Sequence, residues 1–594
     1  MAKFAGVGIA VVGGLFIAGM FLPTDAVRRA VAVHISAISG QTVTVNGPAR
    51  LSLLPSPSVS VSKVEVGGAN GGANVLEAER ITARLSLIGL MLGRIEITGL
   101  KFTQPRFALL VDADGRANWR SGASLLSLFV PGDDAETSPR LGDVAIDGGQ
   151  LIYRDERARR RGEINDIDVD VTWPLIGSSL SAGGTFRLRG ETISFGGKLE
   201  RPAALFRKDI SPFSLTLDTK AIRAKLTGNA LAGRDVQFES QLTFSSPSLK
   251  LLAGWLAPEV ENVPDFGPVD GTSRITVVDR LMTLDKANIK IAGSRGEGTV
   301  SFGFGATRTS LQGTMDFDTV EAQPLLNLQI PTVETGAGSH FNGARLGPLD
   351  VDMRLSVANL KAGAITVQKA ALSFFAREGR VEASIADGTI FGGRISGRLA
   401  ITALGDKQAR AQAIIALANI QVDDAQRAIL GTARLTGVGS LNLDLTGEGG
   451  DNGEILRSLK GDGKLRLLSG VVQGFDLTSL ARRPDRSAGE VLADSRGGRT
   501  SIESATASFR IANGVAATDD ALIRGTGYRV ALRGDVDPGK RTINFDGAIS
   551  PQIGNDLVRA LELPFSVRGP WFEPAFSFGS EGFVRRPAPQ PPAP

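Results

Sequence analysis

Apolar and polar residues take turns along most of this chain. In "RIEITGLKFTQPRFALLVDADGRANW" (residues 94–119), Ile95 and Ile97 alternate with Arg94 and Glu96. Phe107, Leu109 and Val111 follow after Pro105, and "DADG" then reads as a turn. This predicts strand, break, strand, turn. The same pattern places Val43 and Val45 in one strand. It places Val59 and Val61 in another, which slips phase to Val64 and Val66 as at a bulge. Ile81, Ala83, Leu85 and Leu87 continue it. Far downstream it returns at Phe213, Leu215 and Leu217, at Val381, Ala383 and Ile385, at Tyr528, Val530 and Leu532, and at Ile543 and Phe545. Each run is a strand with one apolar and one polar face. Gly, Asp and Asn separate runs at short intervals, a spacing that favours antiparallel meanders over strand–helix–strand units.

Helical periodicity is rare. It is predicted for residues 24–38, where Val27, Val31, Ile35 and Ile38 share a face, and for residues 247–258, 422–430, 454–461 and 475–483. Residues 4–22, "FAGVGIAVVGGLFIAGMFL", are uncharged and apolar over about 19 positions, enough for a helix to cross a ~30 Å hydrocarbon layer. This run is long for the core of a cleaved signal peptide and reads as a retained anchor. The tail "RRPAPQPPAP" reads as disordered.

Composition narrows the chemistry. Of 594 residues, 73 are Gly, well above the usual ~7%, which suits many turns and bulges. With 66 basic and 62 acidic residues the net charge is only +4, which does not suit a nucleic-acid binder. There is no Cys, so there are neither disulfides nor thiolate metal sites. The two histidines, His34 and His340, stand far apart, which argues against a His-dependent enzyme. "DADGRAN" lacks the later ligands of a Ca²⁺ loop, and "RDERARRR" (residues 154–161) reads as a solvated loop. No spacing isolates a pair of carboxylates for glycoside chemistry. No cofactor, metal or catalytic residue is expected.

Residues 81–119 resemble the amino-terminal part of the AsmA family. The resemblance is carried by Leu92, Gly93, Ile95 and Ile97, by Pro105 and Leu109, and by Asp114, Gly115, Asn118 and Trp119. Residues 144–156 are similar to the family segment that follows. Residues 386–401, 459–477 and 563–578 resemble its carboxy-terminal strands, and the middle, about 190–350, is diffuse. The resemblance implies a mainly β protein: a transmembrane helix, then a long, curved antiparallel β-sheet groove with a few short helices. The implied organisation is an anchor (1–23), an amino-terminal β region (24–190), a middle β region (191–350), a carboxy-terminal β region (351–579) and a Pro-rich tail (580–594). It implies a single-pass inner-membrane protein with its bulk in the periplasm, acting in outer-membrane biogenesis.

The alternation supplies a physical route to that role. A sheet with one apolar face must bury it against protein or lipid. In a trough, phospholipid acyl chains occupy the apolar side while head groups stay in water. The candidate lining is Ile95, Ile97, Phe107, Leu109, Val111, Phe213, Leu215, Leu217, Val530, Leu532, Ile543 and Phe545. A filled sandwich is the structural alternative. The functional alternative is an assembly factor that engages outer-membrane proteins through exposed strand edges. The expected partners are therefore phospholipid acyl chains, the inner membrane through the amino-terminal helix, and outer-membrane assembly proteins, with no nucleic acid.

Overall fold

The computed structural model describes residues 32–33, 36, 42–52, 54–67, 73–92, 97–118, 142–157, 160–174, 178–206, 209–232, 236–256, 264–278, 281–304, 308–326, 332–335, 338–341, 349–405, 407–477, 496–553, 556–557, 561–578 and 584–585. The expected span (4–22), most of the helix at 24–38, His34, Ile95, Trp119 and all of the Pro-rich tail but Val584–Arg585 lie outside them. Among the described residues no helix is long and apolar enough to cross a membrane. The chain is mainly β, and it divides into two compact units.

The first unit comprises Met1–Pro247 and Asp270–Asp285. Val43–Val45 and Ala49–Ser52 both pair with Ser58–Val66, which pairs with Leu76–Leu85 and so on to Ile97–Val111. Gly142–Asp155 then lies parallel to Ile97–Val111. The ladder continues antiparallel through Arg160–Trp173, Leu180–Leu188, Glu191–Leu199, Ile210–Asp218, Arg223–Ala232 and Val236–Ser246. Neighbours in sequence are thus neighbours in space.

Lys63 sits in the left-handed region, at φ 51°. The extra residue reverses the alternation there, so Val59, Val61, Val64 and Val66 are all buried on the two sides of one bulge. Val59, Val61 and Val64 belong to a packed cluster with Ala49, Ile81, Ala83, Leu85 and Leu100, against which Ala32, Leu90 and Ile97 also rest. Pro105 does not break its strand: Ile97–Val111 is continuous, with Gln104 at φ 48° forming the kink.

"DADGRAN" folds as a turn. Asp112 accepts the Arg116 N–H on Oδ1 and the Gly115 N–H on its carbonyl, with Gly115 at φ 80°. Asn118 is buried and donates to the carbonyls of Ala73 and Ala108 while accepting from the Leu110 N–H. One amide therefore ties the loop before Leu76–Leu85 to the end of Ile97–Val111. Replacing Asn118 by Ala orphans buried groups on both segments and is expected to cost about 2–4 kcal/mol, read as a lowered denaturation midpoint.

The second unit comprises Ser248–Val269 and Lys286–Pro594. Ser294–Phe304 pairs with Thr309–Glu321, and Leu349–Ala362 then lies parallel to Thr309–Glu321. The strands from Ile365–Arg377 to Thr542–Ile553 follow as an antiparallel meander, closed by Leu561–Pro570 and Ala575–Phe578.

Its short helices sit at strand ends. Ser248 accepts the Leu251 N–H at the start of Leu249–Leu256 and donates to Asp265. Asp265 also accepts the Gly267 N–H; that bond first, then Ser248, holds its carboxyl below the usual range. Val422–Leu430 ends at Gly431, whose φ of 75° suits the left-handed cap. Asn452–Arg457 is capped by Asp451 and lays Ile455 on Ala409.

Near the carboxy-terminal end, Tyr528, Val530, Ile549 and Leu563 form a sealed cluster under Ile523, Leu532 and Phe565. The Tyr528 hydroxyl donates to the Ser501 carbonyl at 2.7 Å. Burial, then the charges of Glu503 and Asp476, push its pKa from 10.0 up to about 12. The sign is fixed by the neutral form being favoured in the fold. The stabilisation is whole below the unfolded value of about 10 and is lost as pH rises through about 12. Urea midpoints of the wild type and Tyr528→Phe between these pH values are expected to converge, the wild type losing its advantage.

Candidate functional site

The candidate site is the apolar face of each sheet, and strand register shows how it is built. Residues directly opposite one another across a ladder share a face. In the first unit, one cross-strand row reads Ala49, Val61, Ile81, Phe102, Ile146, Val169, Gly184, Phe195, Leu217, Ala224, Phe244. The adjacent row on the same face reads Leu51, Val59, Ala83, Leu100, Val144, Val171, Ala182, Gly197, Leu215, Leu226, Leu242. No polar side chain interrupts either row.

The second unit repeats this. One row runs Val300, Gly313, Met353, Phe374, Ala383, Leu399, Ala413, Leu445, Gly461, Ile511, Ala516, Val536, Ile543, Gly569. Beside it lie Met315, Leu355, Leu372, Ile385, Gly397, Ile415, Leu443, Gly463 and Phe509.

Many intervening positions carry charge, though Phe375 and Ile414 are exposed apolar residues on that same face. Arg84 pairs with Asp143, Lys101 with Asp147 and Arg187 with Asp166 in the first unit. In the second, Arg410 pairs with Glu448 and Arg568 with Asp546, while Arg380 and Arg398 flank Glu382. Partial burial pulls the Glu382 pKa upward, but hydrogen bonds and charge from Arg398 and Arg380 outweigh it and hold the carboxyl below its usual value. These exposed pairs add little stability singly; they keep that face wetted.

How far each apolar row is covered separates an open face from a sandwich. A sandwich seals its inner side chains. In the second unit Phe374 is 39% exposed, Leu399 46%, Ile415 36% and Leu465 41%. In the first unit the rows start sealed at Val61, Ile81 and Val59. The first row is half-buried from Phe102 and Ile146, as at Val169, Phe195 and Leu217; the second stays buried through Leu100 and Val144 and is half-buried at Val171 and Leu215; both are buried again at Phe244 and Leu242. Each unit thus buries its rows at both ends, at Val61 and Ile81 and again at Leu242 and Phe244 in the first, at Val300 and Met315 and again in the Tyr528 cluster in the second, and leaves positions between them partly open.

Glycine recurs within the rows. At Gly461, φ is 152° and an added Cβ would stand 1.9 Å from the Asp444 carbonyl oxygen. At Gly184, φ is 156° and the corresponding distance is 2.0 Å, to the Asp168 oxygen. Neighbouring backbones come close enough at these positions to exclude any side chain.

The residues of the sequence-derived lining are placed as follows. Leu215, Leu217 and Ile543 belong to those just described. Phe213 lies between Leu199 and Gly228, and Phe107 between Leu76 and Leu151. Phe545 lies between Gly534 and Val567, and Leu532 beside Gly547. All of these are half-buried. Leu109 and Val111 oppose Tyr153 and Asp155 at the fringe, and Ile97 rests on the first cluster. Val530 differs: at 2% exposure it belongs to the sealed core, because Ile523, Leu532 and Phe565 pack over it. The open row residues Phe374, Leu399 and Ile415 were not among the expected lining; Phe374 and Ile415 stand in unalternating runs, beside Phe375 and Ile414.

Among the described residues, no group of His, Asp or Glu is placed to hold a metal ion. A model of the AsmA family matches residues 1–251 and 327–521, most of the chain. The chain belongs to the AsmA family. Residues 252–326 and 522–594 lie outside the match, and the first of these intervals contains the unit boundaries at 269/270 and 285/286. Within the matched residues, the AsmA-like "D-G-x-x-N" segment, residues 114–118, has the structural role described for Gly115 and Asn118. No curated protein matches the chain.

Proposed function

We propose that this protein binds phospholipid through the apolar faces of its sheets and conducts it between membranes of a cell envelope. The observation that carries the reading is the uninterrupted apolar row that stays partly open, exemplified by Phe374, Leu399 and Ile415 in the second unit. An acyl chain laid along such a row crosses strand after strand without meeting a polar side chain, while the head group remains in water. Each covered methylene contributes roughly 0.8 kcal/mol, so a sixteen-carbon chain gains on the order of 10 kcal/mol over exposure to water. A row of uniform chemistry also removes steps in that energy along the path. Family membership agrees with an envelope role. Residues 4–22 provide an inner-membrane anchor in this reading, which leaves the β units in the periplasm.

The test is mass spectrometry of lipid retained by the purified full-length protein, with photo-crosslinking residues at Leu217, Leu399 and Ile415. Phospholipid adducts at these positions are expected, and none at the sealed Val530. Protein that carries no lipid and crosslinks instead to nascent β-barrel chains would replace this reading with that of an assembly factor.

A further inference from the structure

One end of the first unit is unusually apolar. Strand Ala49–Ser52 leads into the turn that contains Leu54, and Ser58–Val66 begins just after it. Leu76–Leu85 ends at the same place, since Ser58 opposes Arg84 and the Leu85 N–H donates to the Pro57 carbonyl at 2.8 Å. The chain then enters the helix Leu87–Met91, with Ser86 accepting the Gly89 N–H as its cap. Leu90 turns inward onto the packed cluster. Leu54, Leu87, Ile88, Met91 and Leu92 point outward, at 67%, 49%, 72%, 62% and 69% exposure. Five large apolar side chains standing in water at one end of a sheet are not explained by the rows on its face.

The position of the anchor says what covers them. Ala32 rests on the same packed cluster as Leu90 and Ile97. The apolar run at 4–22 ends ten positions earlier in the sequence. That interval reaches about 15 Å as helix and at most about 35 Å extended. The bilayer that receives residues 4–22 therefore lies within a few tens of ångströms of the Leu87–Met91 helix. Arg28 and Arg29 fall in the interval, where anionic head groups favour them.

We infer that Leu54, Leu87, Ile88, Met91 and Leu92 form a membrane-docking rim that dips into the interfacial layer of the bilayer holding the anchor. Apolar side chains at such depth sit ~5–10 Å below the head groups. The inference rests on the anchoring part of the proposed function and adds a second point of contact. Two contacts fix the tilt of the first unit, so its apolar face meets the membrane at a defined place.

The absence of cysteine makes the test direct. Full-length single-cysteine variants Ile88→Cys, Leu92→Cys and Ala113→Cys are labelled with an environment-sensitive fluorophore in proteoliposomes containing nitroxide-labelled phospholipid. A fourth variant, Val11→Cys, reports on the anchor. The expected result is strong quenching and a blue shift at positions 88 and 92, as at 11, and neither at 113, which lies in the turn at the far end of Ile97–Val111. Quenching at 11 with water-like emission at 88 and 92 overturns the rim and leaves the anchor standing. A blue shift at 88 and 92 without quenching also overturns it, because another protein surface then covers these residues. Loss of quenching at 11 refutes the anchor itself.

Discussion

Replacing Leu399 or Ile415 by Glu is expected to abolish most lipid retention while leaving the fold intact. Both side chains are at least one-third exposed, so a carboxylate there keeps much of its water and costs about 1 kcal/mol of stability. With an acyl chain in place the same carboxylate is desolvated against hydrocarbon, at a cost of several kcal/mol. Each 1.4 kcal/mol is a tenfold change in affinity, so one substitution is expected to lower occupancy by a factor of ten or more. Gln412→Glu, on the charged face of a strand in the same sheet, is the control and is expected to retain lipid normally. Bound lipid per protein, measured alongside thermal melting, separates the outcomes. If all three variants keep their lipid, the row is not where lipid sits.

Substituting Val at Gly461 is expected to have the largest effect on stability. Any Cβ there falls 1.9 Å from the Asp444 oxygen, which is backbone and cannot rotate away. The φ of 152° is also outside the range a branched residue favours. Strain and overpacking together predict a loss of about 3 kcal/mol or more, with separation of Leu435–Gly449 from Lys460–Phe475. Equilibrium denaturation and amide exchange of these two strands would show it. A substitution at Gly405, which has nothing within 4 Å, tests side-chain crowding apart from conformation, since its φ is also positive.

Strand identity was legible because alternation is local. The phase slip between Val61 and Val64 was readable from four valines, and Lys63 at φ 51° is its cause. The helices at 249–256 and 422–430 were readable from their 3.6-residue spacing. The helix Leu87–Met91 was missed because Leu85 and Leu87 continue the strand alternation up to Ser86, which ends it by capping. Pro105 was read as a break, but Gln104 absorbs the kink and the ladder continues.

The rows themselves were out of reach. Which residue stands opposite Leu399 depends on turn lengths and on bulges, such as those at Lys369 and Asn419, both with positive φ, and each bulge resets the pairing. Sequence alone also cannot show that Val530 is sealed while Ile415 is open. Burial separates them through packing, since Ile523, Leu532 and Phe565 rest on the cluster that holds Val530.

The largely sequential pairing within each unit has a consequence for how such a chain evolves and fails. A strand bonded only to its predecessor and successor can gain or lose a neighbouring hairpin without rewiring any other contact, much as a zip fastener gains teeth. Reach is therefore adjustable by duplication of hairpins. Damage to one rung is borne chiefly by the rungs beside it, so a lesion frays the ladder locally before it dismantles the whole.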